Sequence, residues 1–284
     1  MPIKFQDVHY IYSPKTPFSF HALKGIDLEV KEGSFLAIVG RTGCGKSTLI
    51  QHMNALLNPT SGSVDIDDFH NVSDKKKRSK KVKDLRQKVG MVFQFPEYQL
   101  FEETVEKDVA FAPKNFGFSK EESIERAHKA LAELGLDESF YERSPFELSG
   151  GEKRRVAIAG VLGDAPSFLV VDEPTAGLDP AGARKLMELF KKVHASGTTV
   201  VLVTHDMDVV MDYCDRVIVI DDGKVALDLT PHALFEMDIE PYSLQSPSLH
   251  LFASRLAKRG LTIPKEKTHD IGSLVGAILE ARGQ

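Results

Sequence analysis

Apolar residues recur along the chain in short runs separated by polar and glycine-rich stretches. Alternating or β-branched runs at 3–12, 26–30, 35–39, 89–93, 168–171, 200–204 and 217–220 have the length and composition of strands. Between several of them the apolar period lengthens to that of a helix, beginning at 46–57. There Asn58-Pro59 is expected to stop it, because proline disfavours helical backbone in the residue before it. Strand alternating with helix predicts an α/β fold with a largely parallel sheet.

The stretch from about 95 to 163 breaks the alternation: it carries two helical segments and no strong strand, and reads as an inserted helical subdomain. Within it, Ser119 and Glu122 have capping-box spacing. Ile124, Ala127, Leu131 and Leu134 then repeat at helical spacing until Gly135, which marks a scaffold helix. After Ile220 the composition shifts, with Pro231, Pro241 and Pro247 punctuating a tail that holds two amphipathic patterns. One is Leu249, Phe252, Ala253, Leu256; the other is Ile271, Leu274, Val275, Ile278, Leu279. The expected organisation is a domain over 1–230 with the insert at about 95–163, and a small helical extension over 231–284. The stripes of the extension have two open destinations, the main domain or a partner chain.

Composition narrows the function. With 284 residues, 42% hydrophobic and 27% charged, the chain is ordinary globular material, which excludes disordered and fibrous classes. Its net charge of −5 argues against a nucleic-acid coat protein, and no nucleic-acid partner is expected. The basic run from Lys75 to Lys83 reads as a solvated loop. Two cysteines, Cys44 and Cys214, cannot form a disulfide framework, and the first residues lack the apolar core of a signal peptide, so a reducing, cytosolic setting is expected. Apolar stretches such as 199–203 are strand-length, far short of the roughly 20 residues that span a bilayer.

Four clusters carry candidate chemistry. Gly40-Arg41-Thr42-Gly43-Cys44-Gly45-Lys46-Ser47-Thr48 follows a strand and opens a helix, the context of a phosphate-binding loop. Its glycines let backbone N–H groups turn inward, Lys46 reaches the β and γ phosphates, and Ser47 offers a hydroxyl to Mg²⁺. Cys44 reads as a small filler. At 168–173 an apolar strand ends in Asp172 and Glu173, which point opposite ways and so take different jobs, one holding the metal's water shell and the other polarising an attacking water. Ser149-Gly150-Gly151-Glu152 begins a helix with capping-box spacing, a second candidate phosphate-binding helix end. Finally, His205 ends a strand.

In this order the clusters resemble the nucleotide-binding ATPase subunit of an ABC transporter, a P-loop NTPase, over about residues 3 to 230. The resemblance implies ATP and Mg²⁺ as cofactors and a role for each residue. Lys46 and its loop are Walker A; Asp172 is the Walker B carboxylate and Glu173 the catalytic glutamate; Ser149 to Glu152 form the signature loop. Gln94 matches the Q-loop glutamine that senses Mg²⁺ and attacking water, Asp179 lies in the D-loop Ala176-Gly177-Leu178-Asp179, and His205 is the switch histidine. Tyr12 is the favoured stacker on adenine, with Phe18 and Phe20 as rivals. The family pattern has glutamine where this chain has Glu152, and glutamate can fill the same capping role.

In such a family two chains close face to face over two ATP molecules. The segment from Phe93 to Gly117, with Thr175 to Pro180 and the helical tail, further resembles the second of the paired ATPases of energy-coupling factor transporters, which take up vitamins and trace metals. That implies a second ATPase subunit, usually a paralogue and alternatively an identical copy. It also implies a transmembrane coupling protein, a membrane substrate-binding component, and a peripheral position on the cytoplasmic face of the membrane. The alternatives are the ATPase of a conventional ABC importer and a soluble ABC clamp acting on nucleic acid or ribosomes.

Overall fold

The computed structural model describes residues 2–281. Its first half contains β1 (Ile3–Tyr12), β2 (Phe20–Val30), β3 (Phe35–Val39), α1 (Lys46–Met53), β4 (Ser61–Ile66), β5 (Phe69–Val72), α2 (Val82–Lys88) and β6 (Val89–Val92). Then come α3 (Val105–Phe116), α4 (Lys120–Glu133), α5 (Gly150–Leu162), β7 (Phe168–Asp172), α6 (Pro180–Ala195), β8 (Thr199–Val203), α7 (Met207–Tyr213), β9 (Arg216–Asp221) and β10 (Lys224–Leu229). The remainder is helical: α8 (Pro231–Glu236), α9 (Ser248–Ala257) and α10 (Ile271–Ala281).

The strands form two sheets. One has six strands in the order β10-β9-β3-β8-β7-β6, parallel except for β10, and the other is an antiparallel sheet ordered β2-β1-β4-β5. The fold is thus α/β with a mixed sheet. Uninterrupted apolar runs are what the central parallel strands need, because helices or a second sheet cover both of their faces. Phe168 and Val170 of β7, with Val201 and Val203 of β8, face a core shared with α1 and the antiparallel sheet. Their neighbours Leu169, Val171, Val200 and Leu202 face a second core built with α3 to α6.

Several elements differ from the expectation. β4, β5 and β10 are additional to the expected strands, because they are short and only half apolar; β10 alternates exposed and half-buried residues at a sheet edge. α1 stops at Met53, four residues short of the expected end. Ala55 takes a left-handed φ of 53° there, and the Asn54 side chain accepts from the Leu56 N–H at 3.3 Å. The insert holds α3 as well as α4 and α5, and the basic run ends inside α2, with Lys81 beside Asp68 at 3.4 Å. In the tail, α8 packs on the main sheet through Leu234 and Phe235, whereas α9 and α10 build a small core of their own from Ala253, Ile263, Leu274 and Ala277. The buried sides of the two stripes meet each other, a contact the two expected destinations do not include, while Ser248 at the start of α9 bonds Asp208 of the main domain. Ile271, Val275 and Leu279, however, stay exposed.

Candidate active site

The strand order does the assembling. β3, β8, β7 and β6 are consecutive neighbours, so the segments leaving their C-terminal ends share one edge of the sheet, where open α/β sheets place their ligands. After β3 comes the loop 40–48, after β8 His205, after β7 Glu173 and after β6 Gln94. Four segments far apart in the chain meet there.

The loop after β3 is shaped by its glycines. Gly40 has φ +143°, and a Cβ on it would lie 2.1 Å from the Ile220 carbonyl oxygen, so only glycine lets the loop leave the sheet here. Gly45 has φ +110° and would press a Cβ to 2.7 Å from the Ala22 carbonyl oxygen. Over Gly43, by contrast, a Cβ would meet nothing within 4 Å, which leaves the mouth of the loop open for a ligand. The Lys46 ammonium curls across it, donating to the carbonyl oxygens of Gly40 at 2.7 Å and Arg41 at 2.9 Å. α1 carries no acidic residue in its first turn, so the partial positive charge of its N-terminus is uncancelled. Cys44 is buried against Gly40, and burial raises its thiol pKa, consistent with packing and not with thiolate chemistry.

Alternation along β7 sends Asp172 to the side of Phe168 and Val170, toward α1. There it faces Ser47; burial raises its pKa, and the Ser47 hydroxyl opposes that shift. A buried carboxylate and a hydroxyl meeting beside an ammonium form a hard-oxygen donor set that suits Mg²⁺ next to phosphate. Glu173 diverges. Its backbone N–H donates to the Val203 carbonyl oxygen at 2.9 Å, its φ of 47° is left-handed, and its carboxylate accepts from His205 Nδ1 at 2.8 Å. Strained backbone at a non-glycine residue costs on the order of 1–3 kcal/mol and persists where neighbours enforce it. That bond leaves the His205 Nε2 turned away from Glu173, on an exposed ring. Gln94 lies exposed two residues past Val92, the ladder partner of Val171.

Tyr12 reaches the same region: its hydroxyl lies 3.1 Å from the Thr48 hydroxyl, and its ring packs edge-on against Tyr10 at 4.8 Å. Phe18 and Phe20 are more exposed, at 86% and 56%, and among the described residues no ring contact anchors them.

Ser149 to Glu152 sit elsewhere, at the start of α5. The capping box forms in full: Glu152 N–H donates to Ser149 Oγ at 3.4 Å, while the Glu152 carboxylate accepts from the Ser149 N–H at 2.8 Å and hydroxyl at 2.7 Å. These bonds hold its carboxyl below the usual range. Ser149, Gly151 and Glu152 line a cleft of about 670 Å³ together with Leu178 and Gly182, on the D-loop side of the chain. Asp179 caps α6, accepting from Ala181 and Gly182 N–H at 2.9 Å each. Two residues that the sequence motifs do not single out belong to this region: Arg154 and Glu97, 57 positions apart and paired at 2.8 Å. No local pattern marks such a pair.

A phosphate loop, a strand-end carboxylate pair, a histidine bonded to the second carboxylate and a separate capped glycine helix end define a P-loop ATPase of the ATP-binding cassette class. The ABC transporter family model matches residues 23–176. The energy-coupling factor transporter ATP-binding protein EcfA2 of Lactococcus lactis subsp. lactis is 53% identical over 261 residues, 91% of this chain and 90% of that protein. The protein of the same name from Latilactobacillus sakei is 52% identical over 272 residues, 93% and 91% of the two chains. Among solved structures, cbiO1 of Clostridium perfringens, described as part of the ABC transporter complex cbiONQ, superimposes with a TM-score of 0.73 at 38% identity, covering 91% of this chain and 96% of that one. A dimeric ATP-binding cassette with ADP and Pi bound gives a TM-score of 0.71 at 34% identity, over 81% and 98%. The chain belongs to the ABC transporter family, in its energy-coupling factor ATPase branch, and is an ATP-binding and ATP-hydrolysing protein of that family.

Proposed function

We propose that this chain powers an energy-coupling factor uptake transporter for vitamins or trace metals, working as one half of a nucleotide-sandwich dimer beneath a transmembrane coupling protein. The observation that carries the reading is the split of phosphate-binding elements. The loop at 40–48, Asp172, Glu173 and His205 gather at the sheet edge, while the Ser149 helix end opens into a different cleft beside α6. Two chains related face to face give each signature helix end a γ-phosphate held by the other chain's loop. A solved relative that is dimeric with ADP and Pi supports this arrangement. Among the described residues no helix is long and apolar enough to cross a membrane; in this reading partner subunits hold the chain peripherally at the cytoplasmic face.

In this reading Lys46 and the loop amides hold the phosphates, and Ser47, Asp172 and Gln94 would hold Mg²⁺, which would supply charge neutralisation to the transferring phosphate. Glu173 orients the attacking water and takes its proton, and His205 steadies the γ-phosphate. Tyr12 stacks on adenine. Ser149, Gly150, Gly151, Glu152 and Asp179 act across the dimer. The domain boundary at 230 belongs to the same proposal. The second ATPase is a paralogue or a second copy, and a separate membrane component binds the substrate.

Glu152 brings a negative charge to the helix end that meets the partner's γ-phosphate, and it holds the Ser149 hydroxyl proton. Glu152→Gln keeps the cap but removes the charge, which favours an anion at a helix N-terminus. ATP-driven dimerisation is expected at about two- to fivefold lower ATP, read by size-exclusion chromatography; a rise in the ATP needed contradicts this role.

The test of the function is affinity purification of the tagged chain from detergent-solubilised native membranes, with stoichiometry. A related ATPase, one coupling protein and a small membrane binder are expected. Two copies with conventional permease subunits would indicate an ordinary importer, and the absence of any membrane partner would overturn the transport reading.

A further inference from the structure

Arg154 is an unusual residue to find at the inner face of a helix start. It is 5% exposed, in the first turns of α5, five residues past Ser149. Its guanidinium makes two parallel bonds to Glu97, Nε to Oε2 at 3.0 Å and Nη2 to Oε1 at 2.8 Å. Nη1 donates to two backbone carbonyls, Pro174 at 3.2 Å and Ala176 at 2.8 Å. Glu97 lies three residues beyond Gln94 in the turn Pro96–Gln99; Pro174 directly follows Glu173; Ala176 begins the D-loop. One side chain thus touches all three segments. Phe95, beside Gln94, holds a left-handed φ of 56°, has its ring 5.8 Å from the guanidinium, and packs where a Cβ on Gly177 would meet it at 3.7 Å.

Stability alone is a poor account of this arrangement. Desolvating two charges costs several kcal/mol per ion, and the attraction regained offsets that only with good geometry and satisfied remaining donors. Burial would lift the Glu97 carboxyl, yet the bonds and charge of Arg154, with a backbone N–H, hold it below the ordinary range, so the pair stays ionised. A planar fork with a fixed donor pattern is a device for geometry, which a lysine cannot copy.

We infer that Arg154 is a positioning residue: it ties the signature helix to the segment after Gln94 and to the backbone after Glu173, so that these reach ATP as one rigid piece. The inference rests on the ATPase reading above. Its contacts go to backbone and to Glu97, away from the phosphate loop, so it acts on the chemical step through Glu173 and Gln94 and leaves nucleotide binding to the loop at 40–48.

The test is a double-mutant cycle in the assembled complex, with Arg154→Lys, Glu97→Gln and the pair, measuring kcat and KM for ATP. Each single variant is expected to lower kcat about tenfold with KM within twofold of the parent. The double variant is expected to be no worse than the poorer single, since both remove the same tie. Additive losses, or a KM rise with kcat unchanged, overturn the proposal. If Arg154→Lys fails to fold, Glu97→Gln, an isostere that keeps an oxygen acceptor for the guanidinium, decides: parental kcat overturns the proposal and a tenfold loss with KM kept supports it. Failure of the underlying reading is separately visible, because then the parent complex itself turns over no ATP.

Discussion

Glu173→Gln is expected to lower ATP turnover by at least about 10²-fold, the scale of a lost general base, while ATP binding is retained and a closed dimer accumulates. The geometry is specific about why. Glu173 is set apart from Asp172 by strand alternation, held in a left-handed backbone, and bonded at 2.8 Å to His205, which fixes its carboxylate without neutralising its ability to accept a proton. Glutamine is close in shape and keeps an oxygen for the His205 Nδ1–H, so the site stays intact and only the proton acceptor is lost. Lys46 and the loop remain, so nucleotide affinity is untouched. The measurement pairs steady-state phosphate release with size-exclusion chromatography in ATP. Retained turnover removes Glu173 from the role of base; loss of ATP binding shows that the carboxylate shapes the site and does not only act on water.

Lys46→Ala is expected to weaken ATP binding by about two orders of magnitude. Charge-assisted hydrogen bonds contribute roughly 1.5–3 kcal/mol each, and an ammonium shared between two phosphates makes at least one strong one. There is a second reason in this chain: Nζ ties Gly40 and Arg41 together at 2.7 and 2.9 Å, so alanine also releases the loop's own carbonyls. Fluorescent-nucleotide titration reads the affinity; an unchanged value would falsify the assignment of the loop as the phosphate site. Thermal unfolding should move little, because Lys46 is half-buried at the mouth of the loop and the core beneath it is carried by Leu49, Ile50 and Met53.

Much of the phosphate site is legible in the amino-acid sequence. The glycines of 40–48 lie between a strand and a helix, and a loop of that kind is specified by residues adjacent in sequence. The capping boxes at Ser119 and Ser149 are legible for the same reason, each being a bond between residues three apart. The short strands β4, β5 and β10 are not: β5 and β10 lie at sheet edges, which place few demands on their side chains, and β4, though paired on both sides, offers only Val64 and Ile66 as an apolar signal. Nor is the end of α1, where a left-handed Ala55 and the Asn54 side chain overrule the more distant proline.

By itself, then, the sequence determined the local chemistry: which glycine loop joins a strand to a helix, which strand ends in two divergent acids, and which helix starts are capped. Tertiary structure alone decided what stands next to what. The order β3-β8-β7-β6 brings Gln94, Glu173 and His205 to the edge that carries Lys46, and the burial of Arg154 joins it to Glu97 and to the carbonyls after Glu173. Local bonds are written in neighbouring residues, whereas the pairing of distant strands and the partner of a buried charge depend on how whole layers pack, which no single stretch of chain encodes.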